Sequence, residues 1–210
     1  MPNWVFNTLA IEAEPQVIQA IKAQVSAPYD QQYVDWRTNA ITVEKVEQPF
    51  SFWNIIKPTN LEAYHDKPDV KQDITNPDHW YAWNNKHWGV KWDAKEADLS
   101  EEDETSLIYR FDTPWGIAEE VLLELSRQYP TAEMTLSFEE EQGWGGEMYF
   151  TNGMSVLEEE YDSKCRQCEA LDTMEYCEAC ECNVCSKCNY AEFAPEIMCE
   201  THKEKEKVNG

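Results

Sequence analysis

Four close pairs of metal-ligating residues end this chain, and they dictate how its C-terminal tail can fold. All eight cysteines of the 210-residue sequence lie between Cys165 and Cys199. They run Cys165-x2-Cys168, Cys177-x2-Cys180, Cys182-x2-Cys185-x2-Cys188 and Cys199-x2-His202. A CxxC turn aims two thiolates at one point, and two such turns complete the tetrahedral shell of a zinc ion. The four pairs therefore supply two structural zinc sites, with protein at every position and none left open for water or substrate. Segment 163–210 offers only scattered apolar groups, among them Leu171, Tyr176, Val184, Phe193 and Ile197, too few to bury a core unaided. Bound zinc contributes about 10–16 kcal/mol of apparent binding energy, which here becomes folding energy.

Only four residues separate Cys180 from Cys185, which crowds neighbouring turns around a single ion. Alternate pairing avoids this: Cys165, Cys168, Cys185 and Cys188 hold one zinc, and Cys177, Cys180, Cys199 and His202 the other. Cys182 is left over, as a non-ligand or a substitute for a neighbour. The spacing resembles the cross-braced B-box zinc module over about residues 163–203. It departs in the last pair, where a B-box has two histidines, and in the ten-residue gap before Cys199. One zinc with spare thiols, disulfides and an iron–sulfur cluster are the alternatives. Residues 1–15 show no basic start followed by an apolar run, so a secretion signal is not expected; in a reducing compartment clustered cysteines are metal ligands rather than bridges. Cys182-x2-Cys185-x2-Cys188 opens like a ferredoxin cluster run, but Glu192 stands where the fourth cysteine belongs.

The formal charge is −24, from 41 acidic against 17 basic side chains. Such a field repels nucleic acid and steers basic partners inward. Only Lys164, Arg166 and Lys187 could form a basic patch. One acidic run is Glu139, Glu140, Glu141, Glu147, Glu158, Glu159, Glu160 and Asp162; a second is Glu96, Asp98, Glu101, Glu102, Asp103 and Glu104, expected in a loop. These runs are either a solvated surface or an imitation of a phosphate backbone. No stretch reaches the roughly 20 apolar residues of a membrane span.

Length and composition divide the chain into an α+β domain, 1–162, and a zinc-binding module, 163–210. Nine tryptophans and ten tyrosines imply an aromatic core in the first part despite its charge. Strands are expected over Trp4–Glu12, Ala40–Val46, Gly89–Trp92 and Ser106–Asp112. Glu133–Glu141 and Glu147–Thr151 read as a hairpin around Gly143–Gly146, with Ser155–Tyr161 extending it. Helices are expected over Pro15–Val25, within Asn76–Asn85, and over Trp115–Tyr129, where Ile117, Val121, Leu122 and Leu125 form one stripe. Strand followed by helix, twice over, gives a sandwich with one sheet face covered.

Several stretches carry a family resemblance: Met1-Pro-Asn-Trp4 before Asn7-Thr8-Leu9, Phe50–Pro58, Trp88–Ala94, Phe111–Trp115 and Phe138–Gly143. In this order they resemble the YubB-like proteins of phages and plasmids, over about residues 1–157. The resemblance implies a ferredoxin-like split βαβ sandwich without an iron–sulfur cluster, and an accessory protein of a mobile element in a bacterial cytoplasm. It implies no catalytic residue. Val5 and Phe6 depart from the family pattern, and the cross-braced zinc domain is an addition to it.

Three functions follow. The first is a non-enzymatic protein that binds a host or phage macromolecule through its zinc module and acidic surface, with Tyr190, Phe193 and Ile197 as anchors in the loop Asn189–Met198. The second is an acidic nucleic-acid mimic that inhibits a host DNA- or RNA-binding enzyme. The third is an enzyme with its site near Trp88–Trp115, where Trp88, Lys91, Trp92, Asp93, Phe111, Asp112, Thr113 and Trp115 could line a pocket. In that case His87 would act as general base, oriented by Asp93 or Asp112. The plainer reading of these residues is core packing, with a Lys91–Asp93 pair fixing two strands. The loop Gly143-Trp144-Gly145-Gly146 lacks a lysine and a following helix, and is a turn rather than a phosphate cradle.

Overall fold

Strict alternation along β1 (Trp4–Glu12) builds the central strand. Val5, Asn7, Leu9 and Ile11 are buried on one face, while Phe6, Thr8 and Ala10 point to the other. Two antiparallel neighbours flank it, β5 (Ser106–Pro114) and β6 (Glu133–Glu140). Outside them lie β4 (Lys95–Glu102), then β7 (Gly145–Thr151) and β8 (Met154–Tyr161), in the order β4-β5-β1-β6-β7-β8. The computed structural model describes residues 2–35, 37–38, 40–67, 73–141 and 143–161, together with the backbone of 174–177 and 182–185.

Two helices cover the buried face. Helix α1 (Pro15–Val25), begun by Pro15, presents Ile18, Ile21 and Val25. Helix α4 (Glu119–Gln128) presents Val121, Leu122 and Leu125. The order β1-α1-β4-β5-α4-β6 with sheet order β4-β5-β1-β6 is the ferredoxin-like split βαβ arrangement, widened by the hairpin β7–β8. Asn152 and Gly153, at φ 47° and 73°, form the two-residue turn of that hairpin. The fold is thus α+β and ferredoxin-like, dominated by antiparallel sheet.

Between α1 and β4 the chain inserts a hairpin, β2 (Tyr29–Val34) with β3 (Ile41–Val46), and two helices, α2 (Leu61–Tyr64) and α3 (Trp80–His87). The insert is wedged into the core by rings. Phe50 stacks on Phe111 at 5.1 Å and meets Tyr109 at 4.9 Å, and Phe52 meets Trp88 edge-on at 6.0 Å. Each such pair adds about 0.5–1.5 kcal/mol beyond the area it buries.

Three expectations are corrected, and one strand was not expected. Gly89–Trp92 is a turn, not a strand: Gly89 follows α3 at φ 82°, where a Cβ would stand 3.3 Å from the Ile117 carbonyl oxygen. Residues 96–102 lie in β4 rather than a loop. Only Ala97 and Leu99 are apolar there, and two register shifts break the alternation that would have betrayed the strand. The partner of the expected Ala40–Val46 strand is Tyr29–Val34, whose Asp-Gln-Gln core hides its strand character. Helix α4 begins at Glu119, not Trp115, because Trp115 takes φ 62° in a turn closed by a Thr113 Oγ1 bond to the Gly116 oxygen at 2.7 Å.

Of the tail, two short strands are described: β9 (Met174–Cys177) pairs antiparallel with β10 (Cys182–Cys185), setting Cys177 opposite Cys182 and Cys185 opposite Met174. Cys165, Cys168, Cys180, Cys188, Cys199 and His202 lie outside the described residues, as do Lys164, Arg166, Lys187 and the loop Asn189–Met198.

Candidate binding cleft and acidic sheet face

Where β1 begins, β5 ends and β4 begins, the insert leaves a cleft of about 720 Å³, within the range of small-ligand sites. Aromatic rings supply much of its lining: Trp4 from β1, Tyr33 from β2, Tyr64 from α2, Trp80 from α3, and Trp88 and Trp92 from the turn that follows. Gln31, Gln32 and Asn84 add amides, and Asp66, Asp93, Glu96 and Asp112 add carboxyl groups. Lys95 and His65 are the basic groups of the lining, and burial lowers the His65 pKa, favouring its neutral form.

Two of these carboxyl groups are engaged in holding the walls. Asp93 Oδ1 accepts the Phe52 and Ala94 backbone N–H groups at 2.6 and 2.8 Å. Its Oδ2 accepts the Ser51 and Tyr29 hydroxyls at 2.6 and 2.9 Å. Burial pushes the Asp93 pKa up, against the lowering effect of these donors, and burial also pushes the Tyr29 hydroxyl up. Asp66 bonds His79 Nε2 at 2.8 Å and accepts Trp80 Nε1–H at 3.1 Å. His79 Nδ1 accepts the Tyr81 N–H at 3.4 Å and so caps α3; that places the proton on Nε2, which donates to Asp66. Tyr64 donates to Asn84 Oδ1 at 2.8 Å, and Asn84 donates to the Lys91 oxygen at 2.9 Å.

Glu96 and Asp112 differ from this pair. Their side chains make no hydrogen bond or ion pair among the described residues. Glu96 sits at φ 49° beside a register shift in β4, a conformation that costs a non-glycine residue about 1–3 kcal/mol. The Asp112 pKa is raised, first by burial and then by the nearby Glu96 and Glu141 charges.

The sequence expectations meet this geometry in part. Trp88, Trp92, Asp93 and Asp112 do line one cleft. Phe111 and Thr113 are buried in the core instead. Lys91 forms no ion pair with Asp93: its Nζ lies over rings, 4.6 Å from the Trp92 centroid and 5.5 Å from Trp115. His87 lies outside the lining, stacked on Trp83 at 4.5 Å, and its pKa is lowered first by burial and then by Lys86. No hydrogen bond or ion pair among the described residues joins it to Asp93 or Asp112. Trp4, the β2 segment, Asp66 and Glu96 escaped sequence reasoning. The density of tryptophan between Trp80 and Trp92 signals the cleft but none of these residues.

The sheet face opposite the helices is acidic. It carries Glu12, Asp112, Glu133, Glu139 and Glu147 from the inner strands, with Arg110 among them. Asp98 joins at one edge, opposite Arg110, and Glu159 at the other, opposite Glu147. Glu12 faces Glu133 directly. In the middle stands Phe6, 51% exposed, with Asp112 across from it on β5 and Glu139 across on β6.

Fold and cleft define an α+β ferredoxin-like protein with an aromatic, carboxylate-bearing recess at one end of its sheet. Residues 87–181 match the family described as the ferredoxin-like domain in Api92-like protein, and the stretches Trp88–Ala94 and Phe111–Trp115 fall inside that match. The crystal structure of a protein api92 from Yersinia pseudotuberculosis is similar in fold, with a TM-score of 0.54 and 12% sequence identity over 78% of this chain and 99% of that chain. No curated protein is significantly similar to the sequence. Among the described residues no group of His, Cys, Asp or Glu converges as metal ligands, and no helix is long and apolar enough to cross a membrane.

Asp93→Ala leaves four donors without their acceptor, and should lower unfolding free energy by about 3 kcal/mol or more in urea. Asp93→Asn keeps the shape and removes the charge. Because the folded pKa of Asp93 is raised, its contribution is fully present below the ordinary aspartate pKa and fades as pH rises through the folded value. The stability of the native sequence relative to Asp93→Asn should therefore fall from about pH 4 upward. A pH-independent difference contradicts the placement.

Proposed function

We propose that this chain is a non-enzymatic accessory protein that binds a basic macromolecular partner, a protein of the host or of a phage or related element, through its acidic sheet face. One observation carries the reading: Phe6 stands 51% exposed on the central strand with a carboxylate directly across on either side, Asp112 and Glu139. An aromatic face beside carboxylates suits an arginine or lysine side chain, which can stack on the ring while its N–H groups reach the acid. Like charges directly opposite each other weaken a sheet, yet Glu12 faces Glu133 and Glu147 faces Glu159. A cationic partner relieves both repulsions.

The cleft residues support binding over catalysis. Asp93 and Asp66 hold structure together, and His87 is stacked away from them. A nucleic-acid mimic that enters the basic groove of a host enzyme is the second reading of the same face. It is favoured by the edge strands β4 and β8, which carry acidic runs five strand steps apart, about 24 Å.

Affinity capture from bacterial lysate, at about 0.1 and 0.5 M salt, tests the reading. A basic partner should be retained at low salt and lost at high salt, and lost with Phe6→Ser and with Glu139→Lys. Retention by both variants contradicts the sheet-face site, and a captured DNA- or RNA-binding enzyme selects the mimic.

The tail completes the proposal as a zinc module of two structural ions, on Cys165, Cys168, Cys185 and Cys188, and on Cys177, Cys180, Cys199 and His202. The antiparallel pairing of β9 with β10, which sets the Cys177 backbone opposite Cys182, supports the reading. Elemental analysis of the purified chain should find close to two zinc ions per molecule, reduced by Cys177→Ser. Absence of zinc, or cysteines recovered as disulfides, contradicts the module.

A further inference from the structure

The geometry points to the cleft as a separate binding site for an organic cation, an alkylammonium or guanidinium group, held between Glu96 and Asp112 against the rings of Trp4 and Trp92. The recess is of small-ligand size, about 720 Å³. Asp66 and Asp93 are already engaged by protein donors. Glu96 and Asp112 are not, and Lys95, which faces Asp112 across the strand pair, makes no ion pair with it. The cleft thus presents two carboxyl groups with unsatisfied acceptors beside π faces, which attract a cation and repel phosphate.

The Trp92 ring itself already holds one ammonium, that of Lys91. Lys91 Nζ lies 4.6 Å from the Trp92 centroid and 5.9 Å from Trp80. Trp4 and Trp92 lie 6.0 Å apart in a tilted pair, so the rings form a wall rather than isolated contacts. Glu96 reaches its place only through a left-handed backbone at a register shift, the sort of local strain that clusters at ligand clamps. A neutral sugar would find the rings and the amides of Gln31 and Gln32, but it would leave the two carboxylates repelling each other.

This site is distinct from the sheet-face contact, although Asp112 borders both. Two sources supply such a cation, a free polyamine or a basic side chain of a peptide, and the probes separate them. The full-length chain is titrated by tryptophan fluorescence and calorimetry, in about 0.15 M salt, with spermidine, N-acetyl-arginine amide, its neutral analogue N-acetyl-citrulline amide, and glucose. The expected result is saturable binding of at least one cation, and no binding of citrulline amide or glucose. Spermidine alone binding identifies a free amine, and the arginine amide binding identifies a side chain. Glu96→Gln should weaken the cation about tenfold, and Trp92→Leu should weaken it as well, with the unfolding midpoint of Glu96→Gln near that of the native chain. Glu139→Lys should leave this titration unchanged, so failure of the sheet-face reading and failure of this one are separate results. Equal binding of the neutral analogue, binding of glucose, no binding of either cation, or a Glu96→Gln affinity equal to the native one overturns the proposal.

Discussion

One carboxylate joins three parts of the chain that are far apart in sequence. Asp93 takes hydrogen bonds from Tyr29 at the start of β2, from Ser51 and Phe52 ahead of the insert's helices, and from Ala94 at the entry to β4. Each such bond contributes about 0.5–1.5 kcal/mol net, and a buried donor left without its acceptor costs about 1–3 kcal/mol. The insert therefore cannot swing off the sheet without breaking several of these bonds together. The rings then fill the joint: Phe50 and Phe52 pack on Phe111, and Trp88 closes over them with its Nε1–H on the Ile56 oxygen at 3.0 Å. The cleft is what remains between this pinned insert and the end of the sheet.

The two faces of the sheet divide the labour. On the helix side, burial of Leu9, Ile11, Tyr109, Leu136 and Phe150 supplies the stability. Asn7, a buried polar residue among them, donates to the Val5 and Phe111 oxygens and to Thr113 Oγ1, and Thr113 in turn holds the turn that presents Trp115. On the other side, carboxylates face each other across strands at some cost. Stability made on one face tolerates the repulsion on the other. The same sign of charge repeats in the cleft, at Glu96 and Asp112, beside aromatic walls.

Much of the fold was legible because the core strands alternate cleanly. Trp4–Glu12, Ser106–Asp112 and Glu133–Glu141 have the period-two pattern of a half-buried strand, and Pro15–Val25 carries its stripe at helical spacing. Residues 95–102 were not legible, since a bulged, acidic edge strand has no such period. Tyr29–Val34 was hidden for a related reason: its Asp30, Gln31 and Gln32 look like a loop until β3 pairs with them. Of the cleft, the tryptophans and Asp93 could be found from their density in one stretch. Trp4 and Glu96 could not, because only the antiparallel pairing of β5 with both β1 and β4 brings them to the same end of the sheet. A histidine near several tryptophans suggested a base, whereas stacking on Trp83 explains His87 without chemistry.

The central claim is that an acidic, aromatic-centred surface on the sheet domain recognises cationic groups. Backbone amide chemical shifts of the isotopically labelled full-length chain, followed during titration with a lysine- and arginine-rich peptide in about 0.15 M salt, address it most directly. The account predicts saturable shifts concentrated around Phe6, Asp112, Glu139 and the cleft turn Trp88–Asp93. Shifts confined to residues 163–210, or spread evenly over every acidic segment without saturation, would contradict it.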